Sequence, residues 1–552
     1  MASLFEASPF TEVTLILGGI LLSYGLYRLL KVGSRPKGIP PGPPTIPILG
    51  NLHQIPKENA WLQYQKWAKE YGPVYSLMLG TRVRIVLASD QAVKDLMDKK
   101  SHIYSGRPPM YIGQDIISGG KRAFLNTNNP WWRQSRKMVH TVLNINVIKT
   151  YYPYQDLESK IMLSSMIDSP QEFLTHLRRY NYSFTTQMVY GFRCPTIDDE
   201  RLKILFQTFH KWTDAVESVS SFVFDAFPIL QKLPTFLTPI VKHAKKLHEV
   251  ESENYMHHWL ATKKRLQEGN NLPCFSSDAL RMQTIQKFDD ESAAYISASL
   301  LSAGSETSAD TQYACISAMA IWPEVQKRAR EEIDRVIGPD RLPEYDDYAN
   351  LPYIRCCIKE TLRWCPIVVN GAPHATTEED WYMGYRIPKD ASVNISVWAI
   401  NNDENRAPNP RVFNPDRHAD DQSTLFQSAN GDPKKRDTFS FGAGRRQCPG
   451  IHIVEQTVFL SIARLIWGFE IHLKKGPDGK VIRPDTEHYS SGLMGRPRKY
   501  DADIIPRDEK RMNIIRQAAL KAEGELLDPV TKQWKKLPDG VKLPEWTPGD
   551  KM

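Results

Sequence analysis

The decapeptide FGAGRRQCPG at residues 441–450 constrains this chain more than any other stretch. Cys448 stands among Gly442, Gly444 and Gly450, two arginines and Pro449. Glycines admit backbone angles that other residues resist, so the chain can turn tightly around a bulky planar group. Pro449 removes one backbone donor and fixes a turn just past the cysteine. Residues 451–467 follow as an apolar-rich run of helical length. A thiolate at the start of a helix is stabilised by the positive end of the helix dipole. One cysteine held this way suits a single axial bond to a metal in a preformed macrocycle, because zinc requires several ligands close together. The plain alternative is a free, buried cysteine in a glycine loop.

Composition supports a core-bearing chain. Of 552 residues, 24% are charged and 41% apolar, which excludes a disordered polymer. The seven cysteines are odd in number and contain no C-x-x-C pair, which argues against a disulfide framework and for a reducing compartment. The net charge of +8 suits an acidic partner or a membrane surface, but it is too diffuse to indicate nucleic acid.

Residues 13–27 carry no charge, and Leu29 and Leu30 continue the apolar run past Arg28. A spanning helix needs roughly 20 apolar residues, so the run suffices only if Arg28 snorkels to the interface. Glu6 and Glu12 precede it, and Arg28, Lys31, Arg35 and Lys37 follow it. That asymmetry favours a retained anchor over a cleaved signal peptide and keeps the body of the protein on the cytoplasmic side. The expectation is an N-terminal transmembrane helix within residues 1–33, followed by a stiff, proline-rich hinge at 34–47. On that placement the sequons at Asn181 and Asn394 stay unglycosylated.

Residues 48–506 show no internal repeat. Short strand-like runs occur at 74–78, 83–88 and 381–388, and helical patterns dominate from about 154 to 335. This mixture predicts an α+β fold, mainly α, in one large domain. In the run ASLLSAGSETSADT at 298–311, Ala303 and Gly304 leave one helical turn nearly bare, and Glu306 and Thr307 place an acid beside a hydroxyl. A mid-helix glycine costs about 1 kcal/mol relative to alanine, which the close approach of a flat cofactor or substrate would justify. Glu360 and Arg363 stand at i and i+3 and share a helix face. Trp132 and Arg136 are one helical turn apart. Residues 507–527 suit a helix with Ile514, Ile515, Ala518 and Ala522 near one face. The extension to residue 552, with Trp534 and Trp546, reads as a surface-hugging or mobile tail of no assigned chemistry.

The 441–450 loop fits F-x-x-G-x-R-x-C-x-G at Phe441, Gly444, Arg446, Cys448 and Gly450. It resembles the haem-binding loop of the cytochromes P-450, the haem-thiolate monooxygenases, and weaker motifs follow in that family's order. The resemblance implies a cytochrome P-450 fold over residues 48–506, with Cys448 on the iron of haem b (iron protoporphyrin IX) and donating electron density that favours O–O cleavage. Ala303, Gly304, Glu306 and Thr307 resemble A-G-x-[DE]-T over the haem, so Glu306 and Thr307 would deliver protons. Trp132, Arg136, His374 and Arg446 would face the haem propionates. FNPDRH at 413–418 resembles F-x-P-E-R-F, so that Arg417 would join Glu360 and Arg363 in a structural cluster; Asp416 and His418 depart from the pattern. Residues 111–117, Ser299, Ala303, Val369 and Leu493 would line the substrate pocket.

The resemblance also implies O2 as co-substrate and an apolar small molecule as substrate. No nucleotide fingerprint is present, so electrons would come from NADPH only through a partner, an NADPH-cytochrome P-450 reductase, with cytochrome b5 as a second candidate. GAPHATTEEDW and GRRQCPGIHIVEQ resemble fungal members of specialised metabolism. The expected placement is single-pass in the endoplasmic reticulum membrane, in contact with lipid and facing the cytosol. A non-oxygenating isomerase or dehydratase of the same fold, and a haem sensor, are the rival readings; the intact acid–threonine pair argues against both.

Overall fold

The structure, a computed structural model, describes residues 9–127, 129–269, 272–490 and 494–541. Leu493 and Trp546 lie outside the described residues.

Helix α1 (Pro9–Lys31) leads the chain and ends on Arg28 and Lys31. Its described apolar side chains stand in the open, with Leu21 and Leu22 at 70% and 76% exposure. Among the described residues, no helix is long and apolar enough to cross a membrane. The expected transmembrane helix is therefore not what the structure shows. The physical reason is the shortness of the uncharged run, which ends at Arg28 and is diluted by three glycines, a serine and two tyrosines. The proline segment is not a free hinge either. The Arg35 guanidinium donates to the Gly42 and Pro43 carbonyls and to Ser76 Oγ, and the Ser76 backbone N–H donates to Pro41. The segment thus lies along strand β1 (Val74–Leu79), which pairs antiparallel with β2 (Arg82–Leu87).

From residue 130 the longer helices that position the site are α2 (Pro130–Leu143), α3 (Tyr152–Asp168), α4 (Phe173–Tyr190), α5 (Glu200–Glu217), α6 (Pro239–Gln267), α7 (Asp290–Ile321) and α8 (Pro352–Trp364), with further helices such as Phe275–Gln286 and Pro323–Val336 between them. Short strands follow as β3 (His374–Ala375), β4 (Asp380–Tyr382), β5 (Tyr385–Ile387) and β6 (Ser392–Ile395). Helix α9 (Ile451–Gly468) leads into the hairpin β7 (Phe469–Leu473) and β8 (Ala502–Pro506), and α10 (Glu509–Leu526) ends the series. The main sheet runs β1-β2-β6-β3, with β2 and β6 parallel. The mainly helical, small-sheet expectation holds. The seven cysteines are free thiols. Asn181 and Asn394 are buried, so folding itself closes both sequons.

Helix α7 runs through the centre, buried for most of its 32 residues against α4, α6 and α9. Asp289 caps it by accepting from the Ser292 N–H. Its many hydroxyls return to the carbonyl one turn earlier: Ser297 to Ala293, Ser299 to Tyr295, Ser305 to Leu301, Thr307 to Ala303 and Thr311 to Thr307. These self-contained bonds let small polar residues sit inside a core without outside partners.

The C-terminal extension is docked through the last described residue. Ile515, Ala519 and Ala522 form the buried stripe of α10. Beyond it, Trp534 is buried, packs on Tyr154 and donates its indole N–H to Gln187 Oε1 at 2.6 Å. Gln533 exchanges two hydrogen bonds with the Arg193 backbone. Arg193 and Arg179 both pair with Glu158, which has no exposed surface. The extension thus covers a buried charge hub, and the surface-hugging alternative is the one observed. Trp534→Ala is expected to cost about 3 kcal/mol, as large-to-small core changes do, and to lower the urea midpoint of unfolding followed by circular dichroism.

Candidate active site

The loop around Cys448 is closed on itself before it meets anything else. The Cys448 N–H donates to the Phe441 carbonyl at 2.8 Å, and Phe441 is buried beneath it. Gly444 has a φ of +58°, and a Cβ there would lie 2.0 Å from the Met97 carbonyl oxygen. Its N–H donates to Asp98 at 2.7 Å. Only glycine fits both demands. Gly450 caps α9 and offers its N–H to the Cys448 sulfur; a Cβ on it would sit 3.8 Å from that sulfur. Burial pushes the Cys448 thiol up from its ordinary range, while the Gly450 N–H and Arg136 pull it down. Cys448 itself remains partly exposed.

Beside the loop, three arginines gather from distant parts of the chain. Arg446 stacks over the Trp132 ring at 4.0 Å and donates to the carbonyls of Ser105 and Asn126. Its Nη1 is buried without a hydrogen-bond partner among the described residues. Arg136, one turn beyond Trp132 on α2, donates to the Gln447 carbonyl. Arg107 donates to the carbonyls of Phe124 and Pro373. None of the three pairs with a carboxylate among the described residues. Burial, then Arg107 and Arg136, lower Arg446 to about 9; burial lowers Arg107 to about 10. His374 is buried with Nδ1 against the Tyr104 carbonyl; burial and then Arg107 hold it well below its ordinary value, so it stays neutral. The structure therefore brings Trp132, Arg136, His374 and Arg446 to one place. Sequence reasoning missed Arg107, which sits in SGRPP with no spacing signal and meets its partners only in the fold.

Across α7, Ala303 is exposed and Thr307 half-buried on the same helical face, one turn apart. Gly304 is accounted for differently from the expectation of a cofactor against it. A Cβ there would lie 3.3 Å from Thr185 of α4, so helix–helix approach also requires the small residue. Thr307 does not bond Glu306; its hydroxyl donates to Ala303 at 2.8 Å. Glu306 turns away into α4 and α5, where it is 2% exposed. It accepts from Tyr182 at 3.1 Å, lies 3.1 Å from His210 Nε2, and pairs with Arg496. Burial alone would raise its carboxyl, but His210 and Arg496 outweigh it and hold the group below the ordinary value. Among the expected pocket residues, Ser299 is half-buried and Val369 buried. Residues 111–117 form a helical turn whose Gly113 carbonyl accepts from Trp212 on α5.

Behind the cysteine loop the charge cluster assembles. Arg363 grips Glu360 with two bonds of 2.7 and 2.8 Å, and Arg417 Nε lies 3.4 Å from the same carboxylate. His418 completes the ring at 3.0 Å. The departure at 418 is thus a further partner to Glu360, while Asp416 turns outward to Arg328. Against the cost of burial, Arg363 and His418 lower Glu360 to about 2.

These features agree with comparisons to known proteins. A family model described as Cytochrome P450 matches residues 40–501. The chain is 50% identical over 529 residues to cytochrome P450 monooxygenase virE of Hypocrea virens, covering 95% of each protein. It is 46% identical to cytochrome P450 monooxygenase fogE of Aspergillus ruber, covering 95% of this chain and 96% of that one. It is 41% identical to cytochrome P450 monooxygenase fsoB of Humicola fuscoatra, covering 98% and 99%. The chain belongs to the cytochrome P450 family and is a monooxygenase resembling its fungal members. Membership implies a haem cofactor and O2. The residues present fit that group: a partly exposed thiol on a closed loop stands beside a half-buried cation set that no carboxylate neutralises among the described residues and that includes an orphaned donor.

The Glu360 cluster makes a pH prediction. Because its carboxyl falls from the ordinary 4.5 to about 2 on folding, the fold favours the ionised form. The associated stability, about 3 kcal/mol, is fully present above pH 4.5 and is lost as pH falls towards 2. Glu360→Gln should cost about 3–5 kcal/mol at neutral pH, because Arg363 is left buried and unpaired, and should flatten that acid limb in urea titrations between pH 5 and 2.

Proposed function

We propose that this chain inserts one oxygen atom of O2 into an apolar small molecule, reducing the other to water, in a fungal secondary-metabolite pathway. The observation that carries the reading is the pairing of Cys448 on its closed loop with the Arg107–Arg136–Arg446 cluster. Haem b supplies the one-electron and oxygen chemistry when bound, and Cys448 would be its axial ligand. Phe441, Gly444 and Gly450 shape the loop under it. Arg136, Arg446, Arg107 and Trp132, with His374 behind them, would hold its carboxylates. Arginine forks suit anions in a partly apolar cleft, and the pairing would return the depressed cations to comfortable company. Ala303, small and exposed on α7, would leave room for the haem.

Thr307 would hold a proton-bearing water at that face, and Glu306 would supply protons to it through water, since no direct bond joins the two. Glu360, Arg363 and Arg417 orient the scaffold behind the loop and do no chemistry. Electrons would come from NADPH through a membrane-bound reductase, with cytochrome b5 as a second donor. The acid and hydroxyl at Glu306 and Thr307 support catalysis over sensing, which needs no proton supply.

We place the protein at the endoplasmic reticulum membrane with its body in the cytosol, α1 providing the lipid contact. Its exposed apolar face and its basic end support this. Removing residues 1–33 should shift the protein from the pelleted to the soluble fraction while leaving the haem spectrum intact; an unchanged distribution would refute the contact.

The main test is spectroscopic and isotopic. Carbon monoxide added to the reduced full chain should give the red-shifted Soret band of a thiolate-ligated haem, and Cys448→Ala should abolish it. Turnover under 18O2, with reductase and a host metabolite extract, should label products with one heavy oxygen atom. A Cys448→Ala protein that keeps the red-shifted band would defeat the assignment.

A further inference from the structure

Glu306 poses a problem that the geometry answers. As a proton source it must be recharged after every turnover, yet its side chain is 2% exposed. Tyr182, His210 and Arg496 touch it, and Asp310 and Arg178 stand near. Arg496 reaches from residue 496 to both Glu306 and Asp310. An arginine does not release protons in the working range of a protein, so it holds charge and passes nothing. Tyr182 of α4 donates to Glu306, but burial and then Glu306 itself raise its phenol far above neutrality. Asp310, one turn further along α7, is raised to about 6 by burial; its side chain is 3% exposed and it reaches Glu306 only by way of Arg496. Arg178 of α4 acts on Tyr182 and Asp310 through its charge alone.

His210 of α5 differs from all of these. Its Nε2 lies 3.1 Å from Glu306 Oε1, and its side chain is 50% exposed. It joins the buried carboxylate to water through one ring, whose two nitrogens can each carry a proton.

We propose that His210 is the proton inlet of this enzyme, carrying protons from solvent to Glu306. The ring takes a proton from water at its outer nitrogen and gives the Nε2 proton to Glu306 Oε1. It then returns to neutrality with its proton on the other nitrogen, and rotation or exchange with water resets it. No electrons move, and one proton enters for each one passed on. Tyr182 and Arg496 keep the carboxylate aimed at the ring throughout. This rests on the reading of Glu306 and Thr307 as the relay; His210 touches neither substrate nor haem and acts through Glu306.

The two obvious roles of His210, prop and inlet, separate by substitution. Glutamine keeps a hydrogen bond to Glu306 but cannot titrate; phenylalanine keeps neither. The purified full chain, with an NADPH-dependent flavin reductase, is assayed for NADPH oxidation and hydrogen peroxide in H2O and in D2O. Alongside His210→Gln and His210→Phe run Glu306→Gln and Thr307→Ala. Because the ring is half exposed, all His210 variants should retain the red-shifted carbon monoxide band. Both variants should lose about ten-fold in NADPH oxidation, at the modest end of what general-acid help contributes, and both should show a larger solvent isotope effect. A His210→Gln enzyme indistinguishable from wild type overturns the inlet and leaves a prop. If Glu306→Gln and Thr307→Ala are also indistinguishable from wild type, the relay itself fails; if they alone are impaired, the relay stands and protons enter elsewhere.

Discussion

Three half-buried arginines that meet no carboxylate among the described residues are the constraint around which this structure is organised. Like charges in a medium of low polarity repel and are poorly hydrated, and the cost is visible in the lowering of Arg446 to about 9 and Arg107 to about 10. Backbone carbonyls of Ser105, Asn126, Phe124, Pro373 and Gln447 offset part of it, since a charged donor to a carbonyl is among the stronger hydrogen bonds. They do not neutralise it. An anionic ligand would, and the partly exposed Cys448 thiol lies close enough to Arg136 for their charges to interact. The cluster and the thiol thus define one site from two independent physical demands.

Much of this was legible from sequence because it is local. The 441–450 loop is a run of ten residues whose Gly444 answers to a left-handed φ and to the Met97 carbonyl, which leaves no room for a Cβ. Helix α8 begins at Pro352 and sets Glu360 and Arg363 on one face, as the i, i+3 spacing requires. The strand-like runs at 74–78 and 83–88 land on the strands at 74–79 and 82–87, while the run at 298–311 marks only the middle of α7. What was not legible is non-local. Arg107 meets Pro373 across 266 positions, and Arg496 meets Glu306 across 190. No pattern in either neighbourhood announces such a partner. The proline segment reads as a spacer because proline stiffens the chain, but its carbonyls, freed from any helix, become acceptors for Arg35.

Position 418 shows how a departure from a family pattern can be absorbed. An aromatic ring there would only pack. Histidine reaches the carboxylate at 3.0 Å and adds a partner to a group that already has Arg363, Arg417 and the Asn414 N–H. A buried carboxylate gains most from a complete set of donors, because the penalty for burying it falls on whatever lone pair is left unmet. The substitution therefore tightens the scaffold behind Cys448 without altering the loop in front.

Helix α7 resolves a conflict between two requirements. It is small on the open face that carries Ala303 and Thr307, and it is polar along its length. Large polar side chains would fill that face, and small apolar ones would dry it. Serine and threonine satisfy both, provided their hydroxyls are not left unpaired in the core, and the bond of each to the carbonyl one turn back achieves this. Thr307 is held in the same way, so its hydroxyl is already satisfied before any water arrives. It can then serve as acceptor to a water while keeping its own proton on Ala303. Glu306 is buried on another side of the helix and held between elements that begin elsewhere in the chain. The separation of the two groups by about a quarter turn follows from consecutive positions on a helix. It explains why one can face the open side while the other faces α5.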